Sequence, residues 1–160
     1  MLTFALQPLA ACFGTIAFCI FFRVPAKYFP TCGLVGAISW IIYLAANTRS
    51  AITGGAVFCA ALTVVLLSRF FSVRRRCPVT IFLIAGIFPL VPGAGIYNTV
   101  YAAMTGDTSL AVTNFLAAFK AAFAIAIAVS IGVMIPTRYF AMIERRVPHI
   151  SRRKQANQKK

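Results

Sequence analysis

Acidic side chains are nearly missing from this chain: Asp107 and Glu144 are the only two in 160 residues, and His149 is the only histidine. Carboxylate pairs, metal clusters and nucleophile–base relays all need several such groups brought together. A catalytic centre built by this chain alone is therefore excluded, and no cofactor or metal is expected. A glycine-rich nucleotide loop is also missing, which removes direct coupling to ATP. Cysteine is present but unpatterned. Cys12, Cys19, Cys32, Cys59 and Cys77 show no C-x-x-C spacing and lie in apolar context, where they read as small hydrophobic side chains.

What the chain has in abundance is apolar surface, since 61% of its residues are hydrophobic. The composition is that of an all-α, polytopic membrane protein. Five apolar segments recur, at Thr3–Phe22, Thr31–Ala46, Ala51–Phe71, Val79–Met104 and Leu110–Ile135. Each is near the ~20 residues that cross ~30 Å of hydrocarbon as helix. Their connections are too short to fold separately, so residues 1–136 read as one transmembrane domain and 137–160 as a basic tail. The first segment is expected to be a retained helix: Met1–Gln7 carries no Lys or Arg, and Arg23 and Lys27 follow the apolar run where a secretory signal would place charge before it.

The net charge of +14 invites a nucleic-acid reading, but the positions of the cations answer it. All of the 16 lysines and arginines except Arg49 and Lys120 follow segments one and five or close segment three. Alternate basic connections are the positive-inside pattern, with the N-terminus outside and the C-terminus cytoplasmic. The tail then sets topology and attracts anionic lipid. No nucleic-acid partner is expected, because aromatic stacking platforms are missing. Within the tail, Tyr139, Phe140, Met142, Ile143 and Val147 fit either a short interfacial helix ended by Pro148 or a continuation of segment five. Ser151–Lys160 is polar enough to stay disordered.

The fourth segment carries the sharpest signal. Pro89, Pro92, Gly93 and Gly95 interrupt it at its centre. Proline lacks an amide proton and disfavours helix at the residue before it, so a break is expected with about 15 Å of helix on either side, Val79–Phe88 and Ala94–Met104. Broken helices at mid-depth are a hallmark of secondary transporters. The second half would begin at Gly93, Ala94 and Gly95 with unpaired amides and a positive dipole end, which suits a carboxylate. A kink that only shapes packing is the alternative.

Tyr97 and Asn98 lie one turn beyond the break, and Asn114 enters from segment five at similar depth. Ala118, Ala122, Ala126 and Ser130 form a fourth-residue stripe of small side chains expected to pack against the broken helix. Lys120 lies about 15 Å into its segment, level with the break, where a cation needs a partner. That partner is a substrate carboxylate, or else the amine meets another subunit or the headgroups. The candidate substrate-binding set is thus Pro89, Pro92, Gly93, Gly95, Tyr97, Asn98, Asn114 and Lys120. Asp107, in the TGDTS connection, is expected to cap the fifth helix.

The run FPLVPGAGIYNTVYAAM at 88–104, with Arg69 and Pro78 before it and TNFL at 113–116, Gly132 and Pro136 after it, resembles the threonine/serine exporter family. VPAKYFPTCGLVGAISWIIY at 24–43, with Pro25, Gly33, Gly36, Trp40 and Tyr43, is similar to that family's second helix. The resemblance covers almost the whole membrane portion and carries Pro89, Pro92, Gly93 and Tyr97 as motif residues. It implies a chain resembling the C-terminal half of fused exporters and acting with a larger membrane subunit. The cargo would be threonine, serine or a dicarboxylate such as succinate. Self-association is also open, because five spans are few to enclose a pathway. A non-transporting membrane scaffold and a passive channel are the competing readings.

Overall fold

The computed structural model describes residues 2–49 and 53–135, and every described element is helical. The elements are α1 (Leu2–Phe21), a 3-10 turn (Ala26–Tyr28), α2 (Phe29–Arg49), α3 (Thr53–Arg75), α4 (Val79–Ile87), a second 3-10 turn (Phe88–Leu90), α5 (Gly93–Met104) and α6 (Thr108–Met134). Helix α2 starts ahead of its expected boundary. Pro30 stands in its first turn, where a missing amide proton breaks no intrahelical bond. The readings for the tail, including Glu144, Pro148 and His149, lie outside the described residues.

Three of these helices are long and apolar enough to cross a bilayer: Ala26–Thr48, Gly54–Arg75 and Thr108–Met134. A fourth counts if Val79–Leu90 and Gly93–Met104, bent by 43° from one another, form a single span. Helix α1 offers a shorter apolar stretch, Leu6–Phe21. The described residues thus supply three spans, or four with the bent pair, where the apolar segments alone suggested five.

Packing runs α1, α2, α3, α6, α5, with α4 laid across α1, α2 and α3. Two clusters hold the centre. Val35, Ala60, Ala61, Val64, Leu90 and Ala128 join α2, α3 and α6 to the second 3-10 turn. Cys19, Tyr28, Cys32, Phe82 and Ala85 join α1 and α2 to α4. Cys19 and Cys32 are wholly buried there, as small hydrophobic side chains would be. Close approach of α1 and α2 depends on glycine: a Cβ at Gly33 would meet Cys12 Sγ at 2.8 Å, and one at Gly36 would overlap Thr15 Oγ1. That hydroxyl donates to Ala11 O at 2.7 Å, so the tight contact leaves no donor unpaired.

Three helices end the same way. After α1, Val24 N–H donates to Cys19 O and Arg23 N–H to Ile20 O; after α3, Cys77 donates to Ser72 O and Arg76 to Val73 O; after α5, Asp107 donates to Ala102 O and Gly106 to Ala103 O. This paired pattern needs a left-handed residue, supplied by Gly106 at φ 83° but by Arg23 at φ 53° and Arg76 at φ 51° in the other two. Arg75 Nη2 donates to Thr31 Oγ1 at 3.3 Å, and Arg69 reaches the carbonyls at the end of α6. The ends of α3 and α6 and the start of α2 therefore meet at one pole of the bundle, and several of the cations gather there.

Asp107 does cap α6: its Oδ1 accepts from Leu110 N–H at 3.0 Å. Asp107→Ala should lower stability by about 1 kcal/mol, the usual worth of such a cap, read as a lower thermal midpoint in detergent.

Candidate functional site

The proline–glycine segment separates α4 from α5 by backbone geometry. Val91 is extended at φ −61°, ψ 129°, and Pro92 follows at φ −75°, ψ 55°. Gly93 N–H turns back to Val91 O at 2.7 Å, closing a three-residue turn about Pro92. Ile96 N–H then donates to Pro92 O at 3.1 Å and starts the regular ladder of α5. This corrects one detail of the expected anion site. The Gly93 amide is occupied, so the donors left at the helix start are those of Ala94 and Gly95.

The break has two sides. On one, Pro89 closes a cleft of about 260 Å³ lined by Gln7, Ala10, Ala11, Gly14 and Phe18 of α1 and by Trp40 of α2. The indole Nε1 of Trp40 is buried without a hydrogen-bond partner among the described residues. On the other side, α5 packs chiefly on α6 and buries only Ala102, while Gly93, Ala94 and Ile96 face outward. A Cβ placed on Gly93 would meet nothing within 4 Å, whereas one on Gly95 would stand 3.1 Å from Ala118 Cβ. Gly95 is therefore a packing glycine and Gly93 an open one.

The Gly95–Ala118 contact also fixes the antiparallel register of α5 and α6. Moving two residues along each helix sets Gly93 level with Lys120, and moving four sets Thr99 level with Asn114. The depth expected for Lys120 agrees with this register, but its direction does not bring it to the break. At about 100° per residue, Lys120 is turned about 200° from Ala118, to the side away from α5, and it is exposed. Asn114 is turned only about 40° from Ala118 and is half-buried, so it shares the α5-facing side. Tyr97 is 67% exposed and stacks on Tyr101 with ring centroids 6.3 Å apart, while Asn98 is exposed beside it. The structure thus keeps Gly95 and the open amides at the start of α5, sets Asn114 about 6 Å farther along the α5–α6 contact, level with Thr99, and leaves Tyr97 and Lys120 on outward surfaces.

The small-residue stripe on α6 is corrected as well. Ala122, Ala126 and Ser130 are exposed, and the buried set is Ala111, Ala118, Ala121, Ala128 and Gly132. A four-residue step overshoots a turn by about 40°, so the stripe drifts about 120° by Ser130. Steps of three and four in alternation hold one face towards α5 and α3. Gln7 was not singled out by sequence reasoning, which read it only as an uncharged N-terminal residue. Trp40, the only tryptophan, had a signal in its place one turn after Gly36.

Comparison with known proteins adds to this geometry. The family model described as Threonine/Serine exporter, ThrE, matches residues 7–135. The chain belongs to the threonine/serine exporter family. A curated relative from Mycobacterium tuberculosis (strain ATCC 25618 / H37Rv), described as a probable threonine/serine exporter, is 27% identical over 84 residues. That match covers 52% of this chain and 16% of the relative, so the chain spans only a fraction of that protein's length. No solved structure matches the chain. As a family of exporters, these proteins are membrane transporters rather than enzymes. The matched region runs from the Gln7 cleft through the break to the end of α6.

Proposed function

We propose that this chain is an inner-membrane subunit of a secondary exporter of small carboxylate-bearing metabolites, either threonine and serine or dicarboxylates such as succinate. It works with a larger partner subunit. In this reading the chain crosses the bilayer five times, counting α1 and the bent α4–α5 pair, with its N-terminus outside and its basic pole cytoplasmic. The observation that carries the proposal is the interrupted backbone at Val91–Gly93, which opens the first turn of α5 and leaves the amides of Ala94 and Gly95 without backbone acceptors. Such a turn offers hydrogen bonds and a positive dipole end to a carboxylate. Asn98 and Asn114 offer neutral polar groups about one turn farther along α5 and α6, and Pro89 and Pro92 hold the break open. Because α5 leans chiefly on α6 among the described residues, the partner subunit closes the remaining side.

Export of labelled threonine and succinate, measured from cells with and without this chain and its partner, tests the reading. Gly93→Leu is the informative variant. Its side chain meets open space, so membrane abundance should hold while it crowds the amides. Export should fall on the order of tenfold or more, the factor that goes with one lost charge-assisted hydrogen bond. Gly54→Leu, also set in open space but at the start of α3, should leave export unchanged. Equal export in Gly93→Leu and the parent would sink the site.

A further inference from the structure

Helix α6 is the longest of the described helices at 27 residues, yet 17% of its apolar span is buried against 50% for α3. The side turned away from α3 and α5 presents Leu116, Phe119, Phe123 and Ile127, with both phenylalanines more than half exposed and their rings stacked at 6.3 Å. Lys120 stands in the middle of this apolar face. Its position is about 20 Å from either end of the helix, and a four-carbon stem covers only part of that distance to the headgroups. A solitary ammonium facing lipid tails at that depth is costly, and the long-lived arrangement pairs it.

Among the described residues no acid does so. Asp107, the one acid among them, sits at the first turn of α6 and is spent on its cap. A second copy in the same orientation repeats Asp107 at its own depth, about 20 Å from Lys120. The carboxylate that pairs Lys120 therefore lies outside the described residues. We propose that the outer face of α6, centred on Lys120, docks a transmembrane helix of another protein that carries an aspartate or glutamate at the depth of Lys120. The proposal rests on the reading of α6 as a membrane span of a partnered exporter and identifies the face and the chemistry of that contact. The apolar side chains around Lys120 exclude water from the pair, and the pair sets the register of the two helices.

The full chain, carrying photoreactive benzoylphenylalanine in place of Phe123, is irradiated in native membranes, with the same group in place of Ile84 on α4 as the control position. The expected Phe123 adduct is to an apolar segment with an Asp or Glu within one turn of the crosslink. Lys120→Glu and Lys120→Met should each lower that adduct at least tenfold at equal membrane abundance, Lys120→Arg should keep it, and an acid-to-lysine change in the captured helix should restore it to the Lys120→Glu chain. Lys120→Met inserts more readily than the parent, so it reads association even if the charge reversal inserts poorly. An adduct to a second copy, to lipid alone or to a helix without an acid overturns the proposal, as does an adduct indifferent to Lys120. Export is measured in the same cells. Transport that persists without the acidic adduct defeats the docking face alone, and an acidic adduct without transport defeats the exporter reading alone.

Discussion

Arg69→Ala is expected to loosen the end of α6 from α3 and to cost about 3–6 kcal/mol, from two hydrogen bonds of a charged donor at about 1.5–3 kcal/mol each. Arg69 is buried near the end of α3, only 7% exposed. Its Nη2 donates to Val133 O at 2.7 Å and its Nη1 to Ile135 O. These carbonyls belong to the last turn of α6 and the residue after it, where the helix has no amides left to offer and its dipole end is negative. A guanidinium fork answers both needs at once. Alanine removes two charge-assisted donors and leaves a space between the helices. Arg69→Lys should recover only part of the loss, because an ammonium cannot spread two donors in a plane. Thermal unfolding in detergent, followed by helix signal, gives the ordering parent, lysine, alanine. A midpoint for Arg69→Ala equal to that of the parent would show that the α6 terminus is held by something else.

Gly132→Leu is expected to part the same two helices from the other direction, by overpacking. A Cβ at Gly132 would overlap Val65 Cγ1 and stand 2.8 Å from Val65 Cβ, and valine has one favoured rotamer in a helix, so it cannot swing away. Even Gly132→Ala sets about 1 kcal/mol of helix propensity gained against about 1–3 kcal/mol of strain, and strain wins. Leucine should exceed the upper end of that range and lower folded yield. The pair Gly132→Ala with Val65→Ala makes room on both sides, so the double variant should be more stable than the sum of its parts, a coupling readable from a double-mutant cycle. Gly14→Ala, where a Cβ meets nothing, should be neutral or stabilising. Strict additivity of the Val65 and Gly132 changes would mean that the helices do not touch there.

Much of this was legible along the chain. The break between Ile87 and Gly93 followed from Pro89 and Pro92, because the lost amide protons act through the local backbone whatever surrounds them. The Asp107 cap followed from a short acidic side chain three residues before an amide left free by the helix start. Directions around a helix were less accessible. The Ala118–Ser130 stripe looked like a packing face from its spacing, but the face that packs is decided by which residues α3 and α5 present to α6. Lys120 shows the same division: its depth came from counting residues of rise, whereas its turn away from the break came from the Gly95–Ala118 contact. The fold of Gly93 N–H onto Val91 O was also hidden, since it depends on the ψ angle adopted by Pro92.

By itself, the amino-acid sequence determined the apolar, all-helical character of the described chain, the placement of its basic residues and the exporter family, because hydropathy and charge placement act over short stretches of chain. Tertiary structure alone decided that α5 rests on α6, that Trp40 and Gln7 border a cleft at Pro89, that Arg69 ties down α6, and that Lys120 faces away from its own chain. Those features arise from contacts between residues far apart in sequence, and the close approach that sets them is chosen by glycine gaps at Gly36, Gly95 and Gly132 only once the facing helix is in place.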